Sequence, residues 1–357
     1  MTLIDFMRSR VRTLDPGCFA LVMATGIVSI DVSQHGMPWL ARALLLVNVV
    51  AYGVLVWLTA WRVAQSWRAL LADFRNPARG AGFLTFAAGS CVLACQCLLI
   101  AHAPAWALLL TLAGAIGWAL VLYLFLLAVI TAQDKPGFSQ SINGGWLVAV
   151  VATQGVAVAL TLLVADGGAG LADQWLFIAL CLFLVGDALY LVLITLIVYR
   201  LLFLPLAPAQ FTPPYWINMG ALAITTLAGG LLVLHAPAHP LLLDLLPFVK
   251  GFTLFFWATA TWWVPLLLLL EIWRRVRHHQ PWRYEVADWN IVFPLGMYTV
   301  GTWTLGHALD LPLLVAAPGV GVYVSLLVWI AVAIGALLRW SDALTPAGRE
   351  RHLQSNR

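Results

Sequence analysis

At 357 residues, 62% of them apolar and only 10% charged, the chain is too apolar for a water-soluble domain and reads as an integral membrane protein. The net charge of +4 carries no nucleic-acid signal, because the basic residues gather at the ends of apolar runs, where membrane topology puts them. All five cysteines fall inside apolar runs, which argues against a disulfide framework.

From the N-terminus, Arg8, Arg10 and Arg12 precede an apolar stretch with no small-x-small cleavage site, so the stretch reads as a retained first span. A hydrocarbon core takes about 20 apolar residues per helix, and the chain holds ten such runs. They are 14–33, 38–61, 81–102, 105–131, 142–165, 174–199, 213–235, 246–272, 286–308 and 318–340. Continuous apolar runs without alternation predict helices, not a barrel. Three parts follow: an N-terminal segment 1–13, one membrane domain 14–340 and a tail 341–357. Of 19 Lys and Arg, all but Arg42 and Lys250 fall on one side of this layout, which predicts cytoplasmic N- and C-termini. Trp39, Trp61, Trp106, Trp175, Trp282 and Trp340 lie near span ends, as interfacial anchors do.

Alternate spans differ in kind. The first carries Gly17, Thr25, Gly26 and Ser29; the third Thr85, Gly89, Ser90 and Gln96; the fifth Asn143, Gly144, Gly145, Thr153, Gln154 and Gly155. The seventh has Asn218, Gly220, Thr225, Thr226, Gly229 and Gly230, and the ninth Gly296, Tyr298, Thr299, Gly301, Thr302 and Thr304. Even spans such as ALLLVNVVAYGVLVWLTAW are mostly Leu, Val, Ile and aromatic, and read as lipid-facing. Thr85 and Gln96, Asn143 and Gln154, and Phe293 and Thr304 are each eleven residues apart, three turns and therefore one face. Small and hydroxylated residues also let membrane helices pack closely with no pore. Their return in five alternate spans favours five hairpins, with an inner ring of odd helices enclosing a path and an outer ring meeting lipid.

Ionisable residues inside spans are few, and Asp187 in the sixth is the deepest. It reads either as a carboxyl group bonded to a neighbouring helix or as a proton-coupling site. With no acidic ring for cations, and with Arg12 and Arg79 near the inner-ring entrances, the field favours anions. Cys91 and Cys95, one turn apart, read as packing residues or as ligands of a soft metal; no His or carboxylate shares their segment, and neither a metal nor a cofactor is expected. No HExxH helix or Gly-x-Ser-x-Gly elbow is present, so no enzyme activity is expected. In DWNIVFPLGMYTVG, residues 288–301, Phe293 and Pro294 interrupt a membrane helix: Pro294 leaves the carbonyl of Asn290 without its usual partner, and Gly296 gives a bend room. A start near Tyr284 puts Phe293 about 13 Å along the span.

DPGCFALVMATGIVSI (15–30), GFLTFAAGSCVLACQ (82–96), INGGWLVAVVATQG (142–155), TPPYWINMGALAITTLAGG (212–230), FFWATATWWVPLLLL (255–269) and DWNIVFPLGMYTVGT (288–302) together resemble one family, in family order and over the whole membrane region. It is the tellurite-resistance and C4-dicarboxylate transporter family, which includes fungal malate and sulfite transporters and plant guard-cell slow anion channels. The resemblance implies ten helices in five hairpins around a five-helix pore, a homotrimer with one pore per subunit, and an occluding phenylalanine matched by Phe293. A pore-lining glycine of the family is matched by Gly17. The expected function is inner-membrane anion transport, a C4-dicarboxylate such as malate leading and small inorganic anions as the alternative. The expected gate is Phe293 with Pro294, and the expected lining is Gly17, Thr25, Thr85, Gln96, Asn143, Gln154, Asn218, Thr225, Gly296 and Thr304. Asp187 departs from some members and leaves passive and proton-coupled transport both open.

Overall fold

The computed structural model describes residues 3–165, 172–279 and 284–344, and all regular secondary structure among them is helical. Trp282, Arg283 and the part of the expected tail beyond Leu344 lie outside the described residues. A short helix, Leu3–Arg12 (α1), leads into Ala20–Gln34 (α2), Pro38–Arg75 (α3), Thr85–Leu99 (α4), Pro104–Thr131 (α5) and the single turn Phe138–Ser141 (α6). Val148–Ala165 (α7), Ala172–Phe203 (α8), Ile217–His235 (α9), Pro240–Ile272 (α10) and Trp289–Leu309 (α11) follow, then Pro312–Ala316 (α12) and Pro318–Leu344 (α13).

Eight helical segments among the described residues are long and apolar enough to cross a membrane, against ten spans expected. The other two are α2 and α11. In α2 the helix starts only at Ala20, because residues 16–19 form turns, and 15 residues span about 22 Å. In α11 the 21 residues are diluted by Asn290, Pro294 and a run of Gly and Thr. The other large difference is α3, which runs to Arg75 where 61 was expected, with a break at Ser66 (φ −141°, ψ 36°). Beyond the break Asp73 turns back to accept from Arg62 Nη2 at 2.5 Å and to pair with Arg79 Nε at 3.2 Å.

Burial follows the small-residue pattern. The most apolar stretch of the α9 segment is 89% buried and that of the α3 segment 11%; α2, α4, α7 and α11 are likewise mostly buried, and α5 and α13 mostly exposed. Small residues let α2, α4, α7, α9 and α11 approach one another, and they contact in cyclic order: α2 with α4, α4 with α7, α7 with α9, α9 with α11, and α11 with α2. Each also packs on the long helix that follows it, α3, α5, α8, α10 or α13. At their N-terminal ends all five inner helices begin from a tight turn: residues 16–19, then short 3-10 helices at Gly80–Leu84, Gly144–Leu147, Pro213–Trp216 and Val286–Asp288. Glycine is needed where these turns meet, since a Cβ on Gly144 would lie 2.3 Å from the Pro214 carbonyl oxygen.

Candidate functional site

A cavity of about 170 Å³ lies among the C-terminal halves of the five inner helices and is lined by all of them. Ile27, Ile30 and Gln34 of α2 face it, with Cys91, Val92, Cys95 and Leu99 of α4, Gly155, Val158 and Leu162 of α7, Ile224, Leu227, Leu231 and Leu234 of α9, and Met297, Val300, Trp303 and Thr304 of α11. Leu99 and Leu234 are themselves exposed, so the cavity reaches the surface at the C-terminal helix ends. Its wall is mostly apolar, and among the described residues no Lys, Arg, Asp or Glu contributes to it. Phe293 is one turn N-terminal to Met297 and therefore on the same face of α11, just below the end of the cavity, and is 1% exposed.

Pro294 is accommodated by its neighbour. Gly220 of α9 faces it so closely that a Cβ there would sit 2.7 Å from Pro294 Cγ, and α11 runs unbroken through the proline. Gly296 plays the same part against α2, where a Cβ would lie 3.0 Å from Ile27 Cγ2.

The polar residues expected along the path fall into distinct places, and only Thr304 lines the cavity. Gly17, Thr85 and Asn143 belong to the N-terminal turns. Gly17 N donates to Asp15 Oδ1 at 2.7 Å, Thr85 Oγ1 donates to the Gly82 carbonyl at 2.7 Å, and Asn143 Oδ1 accepts from Gly145 N at 2.8 Å. Thr25, Gln96 and Gln154 are bonded to outer helices. Thr25 Oγ1 accepts from Trp329 Nε1 of α13 at 3.0 Å, Gln96 Oε1 from Asn48 Nδ2 of α3 at 2.6 Å, and Gln154 Nε2 donates to Asp187 Oδ1 of α8 at 3.0 Å. Two more indoles do likewise: Trp118 of α5 donates to Thr153 at 2.8 Å and Trp257 of α10 to Thr302 at 3.0 Å. Asn218 and Thr225 are fully buried with no side-chain hydrogen bond to the described residues, on the α9 face shared with Gly229, which abuts Thr253 of α10. Deep polar side chains of the inner helices thus serve largely as clasps to the outer layer. A threonine that binds a pore and one that accepts a bond from a neighbouring tryptophan look alike in sequence.

A family model described as SLAC1, voltage-dependent anion channel, matches residues 13–337, which is nearly the whole described membrane region. The chain belongs to the voltage-dependent anion channel family. Among curated relatives, the protein named "Uncharacterized membrane protein Rv1735c" of Mycobacterium tuberculosis is 42% identical over 164 residues, covering 46% of this chain and 83% of that protein. "Uncharacterized transporter MJ0576" of Methanocaldococcus jannaschii is 26% identical over 308 residues, covering 82% of this chain and 83% of its own.

For a member of the voltage-dependent anion channel family, the charges that bear on access are those at the helix ends. Arg79, expected to attract anions at an entrance, is bound to Asp73, which also holds Arg62. Arg12 is exposed. Asp187 is buried against α7, and the cavity wall does not include it. Cys91 and Cys95 line the cavity as free thiols.

Proposed function

We propose that the chain conducts small anions through the centre of the inner helix circuit, along a path that Phe293 closes. In this reading ten helices cross the bilayer as five hairpins, the five inner ones enclose the path, and both termini are cytoplasmic, as the distribution of Lys and Arg favours. The carrying observation is that a cavity lined by all five inner helices stops one turn short of Phe293, on the face of α11 that Phe293 shares. An anion leaving water for a dry apolar constriction loses its hydration with nothing in return, so a buried ring at that point is a barrier. Gly17 lies in the turn that opens α2 and borders the N-terminal entrance; Thr304 supplies a hydroxyl within the cavity.

Malate-type transport, the leading expectation from the family resemblance, asks for cationic side chains to hold two carboxylates. Among the described residues the cavity wall offers no Lys or Arg, which favours small monovalent anions such as chloride or nitrate. Liposomes carrying the purified protein separate the two readings. Anion current without a proton gradient and no malate uptake supports the channel. Malate uptake driven by a proton gradient overturns it in favour of the carrier.

Proton coupling, if the carrier holds, falls to Asp187, the deepest carboxyl group. Asp187→Asn keeps an oxygen for Gln154 Nε2, and the channel reading predicts unchanged anion flux at every pH; loss of pH-driven uptake would establish coupling instead. A homotrimer with one path per subunit is carried by the family resemblance, and the mass of the detergent-solubilised particle tests it.

A further inference from the structure

The cavity ends on five residues, each one helical turn N-terminal to a lining residue and on the same face: Met23 before Ile27, Ala88 before Val92, Val151 before Gly155, Gly220 before Ile224, and Phe293 before Met297. All five are buried. At this level the circuit is filled unequally. Ala88 and Gly220 contribute almost nothing, Val151 little, and Met23 and Phe293 are among the largest fully buried side chains in the protein. Both belong to one buried apolar cluster, on the contacting helices α2 and α11. Helices α2 and α11 come close where Gly296 faces Ile27, with only 3.0 Å available to a Cβ, and Phe293 and Met23 each lie about one turn before that point.

From this we infer that Met23 is the second half of the barrier: its unbranched thioether chain fills the part of the cross-section that the Phe293 ring leaves open. A flexible side chain with three rotatable bonds suits a plug that must move aside for an ion and close again behind it. The assignment rests on the reading of Phe293 as the occluding ring. It also accounts for the apolar side chains at this level, where a hydrophobic constriction would block ions by excluding water.

Anion flux through liposomes carrying wild type, Met23→Ala, Phe293→Ala and the double variant tests it. Flux rises about threefold for Met23→Ala and about tenfold for Phe293→Ala, and the double variant exceeds the product of the two, since each side chain partly covers for loss of the other. Met23→Leu, which conserves volume, stays near wild type. Met219→Ala serves as a packing control, because Met219 is equally buried but lies a residue away from the central face of α9; its flux stays at the wild-type level. If Met23→Ala does not fold, Met23→Val is read in the same way with a smaller rise. A double variant equal to Phe293→Ala, with Met23→Ala at the wild-type level, overturns the role of Met23 and leaves that of Phe293 intact. A rise in Met219→Ala as large as in Met23→Ala assigns the effect to loosened packing and also overturns it. No rise in Phe293→Ala removes the occlusion on which the inference rests.

Discussion

Pro294 takes a hydrogen bond from α11, a loss of about 3 kcal/mol in an ordinary helix interior. The ring is seated by the missing side chain of Gly220, so the pair works as one fitting between α9 and α11. Gly220→Ala should therefore destabilise the protein by about 1–3 kcal/mol through overpacking against the proline ring. Thermal unfolding in detergent reads this, and a variant as stable as wild type would show that the two helices separate easily. The oddity of a proline in an apolar span was visible in sequence, but its partner was not. Nothing in NMGALAITT marks Gly220, among several small residues, as the one facing Pro294.

Among elements, the division into buried small-residue helices and exposed aliphatic ones was legible because close approach and lipid contact demand different compositions, and that contrast survives without any knowledge of contacts. Helical phase was not legible. In a soluble helix the polar stripe marks the wet side, whereas here the inner helices are buried all round and Thr25, Gln96 and Gln154 spend their polarity on α13, α3 and α8. The face toward the cavity is the more apolar one, and Ile27, Val158 and Leu227 carried no signal separating them from lipid-facing residues. Cys95 lies on that face, a turn from the exposed Leu99. A small negatively charged thiol reagent added from the side of the C-terminal helix ends should modify Cys95, and anion flux should fall as it does. Cys95→Ser gives the comparison and should lose both the label and the fall in flux; wild type left unlabelled by excess reagent would mean that the cavity is closed to anions.

For the molecule as a whole, five inner helices are in cyclic contact around a cavity open at their C-terminal ends, with an apolar level beneath it, and the proposed reading makes of these a path that is built but shut. Family membership makes anions the cargo, and among the described residues the cavity wall has no cationic side chain, which the proposed channel reading takes as weak binding and fast passage. The length of α3 past residue 61 and the late start of α2 escaped the sequence because both depend on local turns and on the Arg62–Asp73 pair, not on hydropathy. In the proposed reading the Phe293 ring is the main element that holds the path closed, with Met23 beside it. The decisive measurement is chloride or nitrate current through Phe293→Ala in a planar bilayer, at equal amounts of folded protein. A current about tenfold above wild type is expected if the ring occludes the path; a well-folded variant that carries wild-type current rules the occlusion out.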